Sequence, residues 1–153
     1  MVFFTDNWRP MSFYDRVKEN HDLGLHTLVL LDIKVKEPDL VAMARGRIEY
    51  EPPRFMSVAQ CAAQLIETEE EKGGAVCGRE ALAVGVARVG AEDQMIVAGT
   101  LEQLAEVDMG RPLHSLVLVG RRIHEMERDF VRGFAVDTSA FDTIWERDYA
   151  GKS

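Results

Sequence analysis

His26-Thr-Leu-Val-Leu-Leu-Asp-Ile-Lys-Val-Lys-Glu37 is the stretch whose reading decides the fold. Residues 27–33 form an almost unbroken apolar run. A run that short, without polar alternation, reads as a strand buried on both faces, at the centre of a sheet. Asp32 interrupts it. In an open α/β sheet, ligands sit beyond the carboxyl ends of the strands. Leu30, Leu31 and Asp32 therefore mark the point where core gives way to cleft. The simpler reading of Asp32, a strand cap that tethers the next loop, is favoured on spacing alone.

Upstream, residues 2–5 read as a strand. Ser12-Phe13-Tyr14-Asp15 is an S-x-x-D capping box opening a helix through Asp22, and Gly24 suits a left-handed stop. Downstream, Pro38 opens a short helical stretch over 39–45, ended by Gly46. Tyr50-Glu51-Pro52-Pro53, among Arg45, Arg47 and Arg54, reads as an exposed extended loop, either a surface excursion or a partner-contact arm. Ser57-Val58-Ala59-Gln60 is a second capping box. Val58, Cys61, Ala62, Leu65 and Ile66 follow as one apolar helix stripe. Cys61 lies on that stripe and reads as a small core residue rather than a nucleophile. Residues 67–71 read as a solvated acidic face, ended by Gly73-Gly74.

Residues 82–89 are a second buried strand, Val89 included, paired in a hairpin with 94–99. Thr100-Leu101-Glu102-Gln103 is a third capping box. Residues 115–119 form the last strand, and Ile123, Met126, Phe130 and Phe134 a final amphipathic helix. Beyond Val136 the chain turns polar. There Phe141, Ile144 and Trp145 either pack back or belong to a frayed tail. This order predicts an α/β fold, a mixed sheet flanked by helices. It places one domain over residues 1–136 and a polar tail over 137–153.

Composition bounds the function. At 153 residues, 46% hydrophobic and 29% charged, the chain is long and apolar enough for one folded domain. A formal net charge of -8 argues against binding nucleic acid by phosphate neutralisation. No apolar run approaches the ~20 residues of a membrane-spanning helix. Met1-Val-Phe-Phe, soon followed by Asp6 and lacking basic residues, does not read as a signal peptide. Cys61 and Cys77 form no metal-ligand spacing, so free thiols in a reducing, cytoplasmic compartment are expected.

Spacing yields no self-contained active site: there is no G-x-S-x-G, no HExxH and no G-x-G-x-x-G after a strand. No residue is assigned as catalytic or as a metal ligand. His114, in Pro112-Leu113-His114-Ser115, stands at the entrance of a buried strand beside a turn bearing Asp108 and Arg111. A histidine satisfied structurally is the favoured reading there.

Several blocks together carry a resemblance. They are Thr5-Asp-Asn-Trp-Arg-Pro, Ser12-Phe-Tyr-Asp-Arg-Val-Lys-Glu-Asn, the opening stretch from His26, Tyr50-Glu-Pro-Pro-Arg-Phe-Met-Ser-Val, Ala87-Arg-Val-Gly-Ala-Glu-Asp-Gln, Ala98-Gly-Thr-Leu and Pro112-Leu-His-Ser-Leu. The chain resembles the diphthine synthases from about Val2 to Phe134. These are tetrapyrrole-methylase-like (class III) methyltransferases that use S-adenosylmethionine. The resemblance implies two α/β domains with the cofactor between them, a homodimer, and methylation of the modified histidine of translation elongation factor 2. It covers only the C-terminal domain. The family's Gly-rich strand-loop, Gly-Asp-Pro segment and Ser-containing segment, which belong to its N-terminal cofactor-binding domain, have no counterpart here. Three cofactor-contacting positions carry over: Leu31, Val89 and His114. Spacing marks the strand end at Leu31 and the entrance at His114, but not Val89. The alternatives are a non-enzymatic, self-associating module and a methyltransferase of the same fold with another substrate. No membrane and no direct nucleic-acid partner are expected.

Overall fold

The computed structural model describes residues 1–151. Its main strands are β1 (Thr27–Leu30), β4 (Leu82–Ala87), β5 (Met95–Thr100) and β6 (His114–Leu118). They form one sheet in the order β1-β6-β4-β5. Every ladder in it is antiparallel, and one parallel bridge, Ala98–Ala135, lies on the β5 side. A two-stranded sheet joins β2 (Ile33–Lys34) to β3 (Arg54–Phe55), with α2 (Leu40–Ala44) between them in sequence. The expected α/β class, a sheet flanked by helices, is observed.

The pleat sends alternate residues to opposite faces. One face carries Val29, Ala83, Ala87, Val97, Leu116 and Leu118, which pack with α1 (Phe13–Asp22), α3 (Val58–Lys72) and α4 (Leu101–Leu104) in one core. The other carries Leu82, Val84 and Ala98 against α6 (Thr138–Asp148), Ile123 just before α5 (Glu125–Arg132) and Val131 in its last turn. The α3 stripe is as read: Val58, Cys61, Ala62, Leu65 and Ile66 are all buried. Burying each larger side chain stabilises by about 1.5–3 kcal/mol relative to exposure. Both the Ser57–Gln60 and Thr100–Gln103 capping boxes form with both hydrogen bonds.

Several readings are corrected. β1 is an edge strand: Leu28 and Leu30 are 59% and 70% exposed, and of its residues only Val29 is buried. An apolar run reports that something can cover it, not which strands pair with it; β6 and β4 take the centre. Residues 2–5 form no strand, but are tethered through Phe3 N–H to Asp32 and Phe4 N–H to Gln64. Ser12 does not cap α1, because its backbone is already helical. Met126 and Phe130 are exposed on α5, although Ile123 is buried. Helix α6 buries Phe141, Ile144 and Trp145, so the region after Val136 joins the core instead of forming a polar tail. Tyr149, buried beside them, ties this helix to the sheet by accepting from the Leu82 N–H at 2.9 Å.

The acidic face of α3 is also not simply solvated. Glu69 accepts from the N–H groups of Ala75, Val76 and Cys77 and from the Tyr14 hydroxyl. One carboxylate thus gathers the loop after α3 and pins α1 to it. Burial opposes its ionisation, but these hydrogen bonds outweigh burial and hold its carboxyl below the usual range. Burial, then Glu69 itself, pushes the Tyr14 phenol up to about 12. A carboxyl lowered by folding stabilises above its unfolded pKa of about 4.3 and loses that stabilisation as pH falls through the folded value. Glu69→Gln is therefore expected to cost about 1–3 kcal/mol at neutral pH in urea unfolding. The gap to the wild type should narrow as pH falls below about 5; a gap constant with pH would contradict the role given to the charge.

Candidate functional site

Leu31, Val89 and His114 line one hollow of about 650 Å³, within the span usual for small-molecule clefts. It lies beyond the carboxyl ends of β1 and β4 and at the entrance of β6, where strand direction places ligand sites in open sheets. Val89 is not in the core: β4 ends at Ala87, the chain turns out at Arg88, and Val89 is 72% exposed on the rim. Leu31 is half-buried and packs against the α3 side of the core. Leu30, Ile33, Phe55 and Leu113 also line the hollow and are exposed. Apolar side chains are seldom gathered uncovered around one concavity, and such a rim marks a surface built to be covered.

His114 is held from both sides. Its Nδ1 accepts from the Val58 N–H at the start of α3, at 3.2 Å. Its Nε2 lies 2.9 Å from both the Gly110 and Arg111 carbonyls. A nitrogen that accepts from an amide is bare, so the proton sits on Nε2 and is donated to those carbonyls. Both ring nitrogens are used. What the residue offers the hollow is its backbone and the carbon edge of the ring, not a free base. Asp32 takes the simpler of its two readings: its carboxylate accepts from Phe3 N–H, and its carbonyl from Met56 N–H.

The residue that spacing missed is Arg88. It adopts a left-handed backbone, φ 52°, at a cost of about 1–3 kcal/mol for a side chain of its kind. Its guanidinium reaches the Asp93 carbonyl and carboxylate and the carbonyls of Met109 and Arg111. The Arg111 guanidinium also pairs with Asp93 and, with Arg88, holds that carboxyl below the usual range. The available signal was an arginine between an apolar strand and a glycine, in Ala87-Arg88-Val89-Gly90.

A second concavity, about 560 Å³, is lined by Arg79, Arg147, Glu80 and Asp148 among others. Its charges pair with one another, Arg147 with Glu80 and Asp148 and Arg79 with Glu70 and Glu102, so they do not converge on a common point. Among the described residues, no group of histidine, cysteine and acidic side chains is placed to hold a metal, and no helix is long and apolar enough to cross a membrane. Cys61 and Cys77 are buried free thiols, and burial pushes Cys61 up to about 12, as suits a core residue.

The sheet and its helices match solved structures of methyltransferase-type proteins. A crystal structure from Entamoeba histolytica described as a diphthine synthase superposes with a TM-score of 0.78 at 39% identity, covering 90% of this chain and 49% of that one. Another diphthine synthase crystal structure gives 0.64 at 25% identity, covering 90% of this chain and 45% of that one. The fold is thus that of one domain of the tetrapyrrole-methylase-like class. In sequence, the chain is 67% identical to the diphthine methyl ester synthase of Emericella nidulans over 153 residues, 100% of this chain and 54% of that protein. It is 54% identical to that of Saccharomyces cerevisiae over 151 residues, 97% of this chain and 50% of that protein. Over nearly its whole length, the chain is thus similar to proteins named diphthine methyl ester synthase or diphthine synthase. It spans about half the length of the curated relatives it matches. No family model matches the chain.

The geometry of His114 is checked by long-range proton–nitrogen correlation. In the neutral ring the proton is expected on Nε2, with Nδ1 bare. A proton on Nδ1 would contradict the brace between α3 and the 110–111 turn.

Proposed function

We propose that this chain is one lobe of an S-adenosylmethionine-dependent methyltransferase of diphthamide biosynthesis, with Leu31, Val89 and His114 as its share of the cofactor site. One observation carries the reading: the three residues line a single hollow whose apolar rim stands exposed. The family relationship supplies the activity, and the hollow supplies a place for it. The substrate in this reading is the modified histidine of translation elongation factor 2, methylated in the cytoplasm.

The residues present suit the cofactor. An adenine ring and the carbon substituents of a sulfonium need apolar walls, which Leu31, Val89 and the exposed rim supply. The sulfonium, when bound, brings an already activated methyl group. What remains for the protein is alignment and the exclusion of water. That division of labour agrees with a His114 whose ring nitrogens are spent on the scaffold. In this reading no side chain of the chain acts as an acid or base.

The reading includes a homodimer. Edge strand β1 leaves Leu28 exposed, and α5 leaves Phe130 and Met126 exposed, apolar surface of the kind that self-association covers. The same surface favours the second reading, a non-enzymatic self-associating module, which predicts a dimer without cofactor binding.

Calorimetry with S-adenosylhomocysteine tests the proposal. The 153-residue chain alone is expected to show no micromolar binding, because it supplies only one wall. Joined to the part of the Emericella nidulans relative that it does not match, it should bind in the micromolar range. Val89→Asp should then weaken binding at least about tenfold, equivalent to about 1.4 kcal/mol. Unchanged affinity in Val89→Asp and Leu31→Glu would overturn the placement of the site.

A further inference from the structure

We infer that Arg88 is a positioning residue that fixes the spacing between two neighbouring loops that line the hollow. The inference rests on the reading of the hollow given above and goes beyond it, since Arg88 acts through other residues. Its main-chain N–H donates to the Leu113 carbonyl at 2.9 Å. Its Nη1 donates to the carbonyls of Met109 at 2.7 Å and Arg111 at 2.5 Å, and its Nε to the Asp93 carbonyl at 3.1 Å. One guanidinium thus joins the 88–94 turn, which carries Val89, to the 108–113 segment, which carries Leu113 and leads into His114.

The coupling reaches His114 directly. The Arg111 carbonyl accepts from both Arg88 Nη1 and His114 Nε2. The other ring nitrogen of His114 takes the Val58 N–H, so the line of contacts runs from the 88–94 turn through Arg88, the Arg111 carbonyl and His114 to the start of α3. The two loops therefore cannot shift independently. The side chain of Arg88 is only 12% exposed, whereas Arg111, which also pairs with Asp93, is 75% exposed. Burial makes the former a fixed strut and leaves the latter a surface ion pair.

The geometry asks for arginine specifically. Three carbonyls and a carboxylate are met by a planar fork whose N–H directions are fixed. A lysine keeps the charge but offers one tetrahedral head that cannot span them. The exposed apolar rim adds the reason for such a strut. Leu113 and Val89 have little packing of their own to hold them, since both are exposed.

The test has two arms. In the 153-residue chain, the Arg88 Nε–H should exchange slowly with water, as in a locked guanidinium. In Arg88→Lys, amide exchange should quicken in residues 88–94 and 108–114 while the β4–β5 ladder keeps its protection. In the two-lobed protein described above, Arg88→Lys should weaken S-adenosylhomocysteine roughly tenfold with its urea midpoint near that of the wild type. Asp93→Asn, which spares the carbonyl contacts, should change affinity less than about twofold. Fast Nε–H exchange in the wild type overturns the inference, and this reading needs no variant to fold. So does an Arg88→Lys protein that binds as tightly as the wild type, or one loosened uniformly across the sheet. Should the two-lobed wild type fail to bind the ligand, the reading of the hollow falls and the role inferred for Arg88 falls with it, even if the exchange data show the guanidinium locked.

Discussion

Docking of α3 on the β6–β4 face is the constraint on which the rest of this structure depends. Val58, Cys61, Ala62 and Leu65 are fully buried against Ala83, Ala87, Leu116 and their neighbours. That packing fixes the helix from Val58 to Thr68, so its two ends become fixed points. At the start, the Val58 N–H is presented to His114. At the end, Glu69 gathers the following loop and the Tyr14 hydroxyl. Gly85 permits the approach: a Cβ there would meet the Val58 side chain at 2.8 Å and Met109 Sδ at 2.7 Å. A close helix–sheet contact at this point brings the 108–113 segment and the start of α3 together over one end of the sheet.

The hollow follows from that arrangement. Strands β1 and β4 run in the same direction because each pairs antiparallel with β6 between them. Their carboxyl ends therefore open on the same side, and Leu31 and Val89 emerge there together with the beginning of β6. In the function proposed, none of these residues acts as an acid or a base. His114 is tied at both nitrogens, and Arg88 through its Nε and Nη1. In the function proposed, a site of this kind would contribute shape, which is what in-line methyl transfer from a sulfonium asks of a protein.

Helices were more legible in the sequence than sheet order. The α3 stripe and the two glutamine-closed capping boxes could be read because their interactions are local, three or four residues apart. The edge position of β1 could not, since it depends on pairing with a strand some ninety residues later, with Thr27 opposite Leu118. Met126 and Phe130 looked like a core stripe because periodicity marks a face without naming its cover. Of the proposed site, the strand end at Leu31 and the entrance at His114 are marked by pattern. Val89 was visible only through the family resemblance, because an apolar residue after an apolar strand reads as core. Arg88 escaped because its partners are mainly backbone carbonyls about twenty residues away, and sequence carries no mark of them.

The central claim is that this domain grips the cofactor at the mouth formed by β1, β4 and β6. The direct measurement is a titration of S-adenosylhomocysteine into the two-lobed protein with only this chain labelled with nitrogen-15, followed by amide chemical shifts. The account requires the perturbed amides to cluster at residues 30–33, 88–91 and 113–115. Perturbations centred instead on the charged groove of Arg79, Glu80 and Arg147 would contradict it.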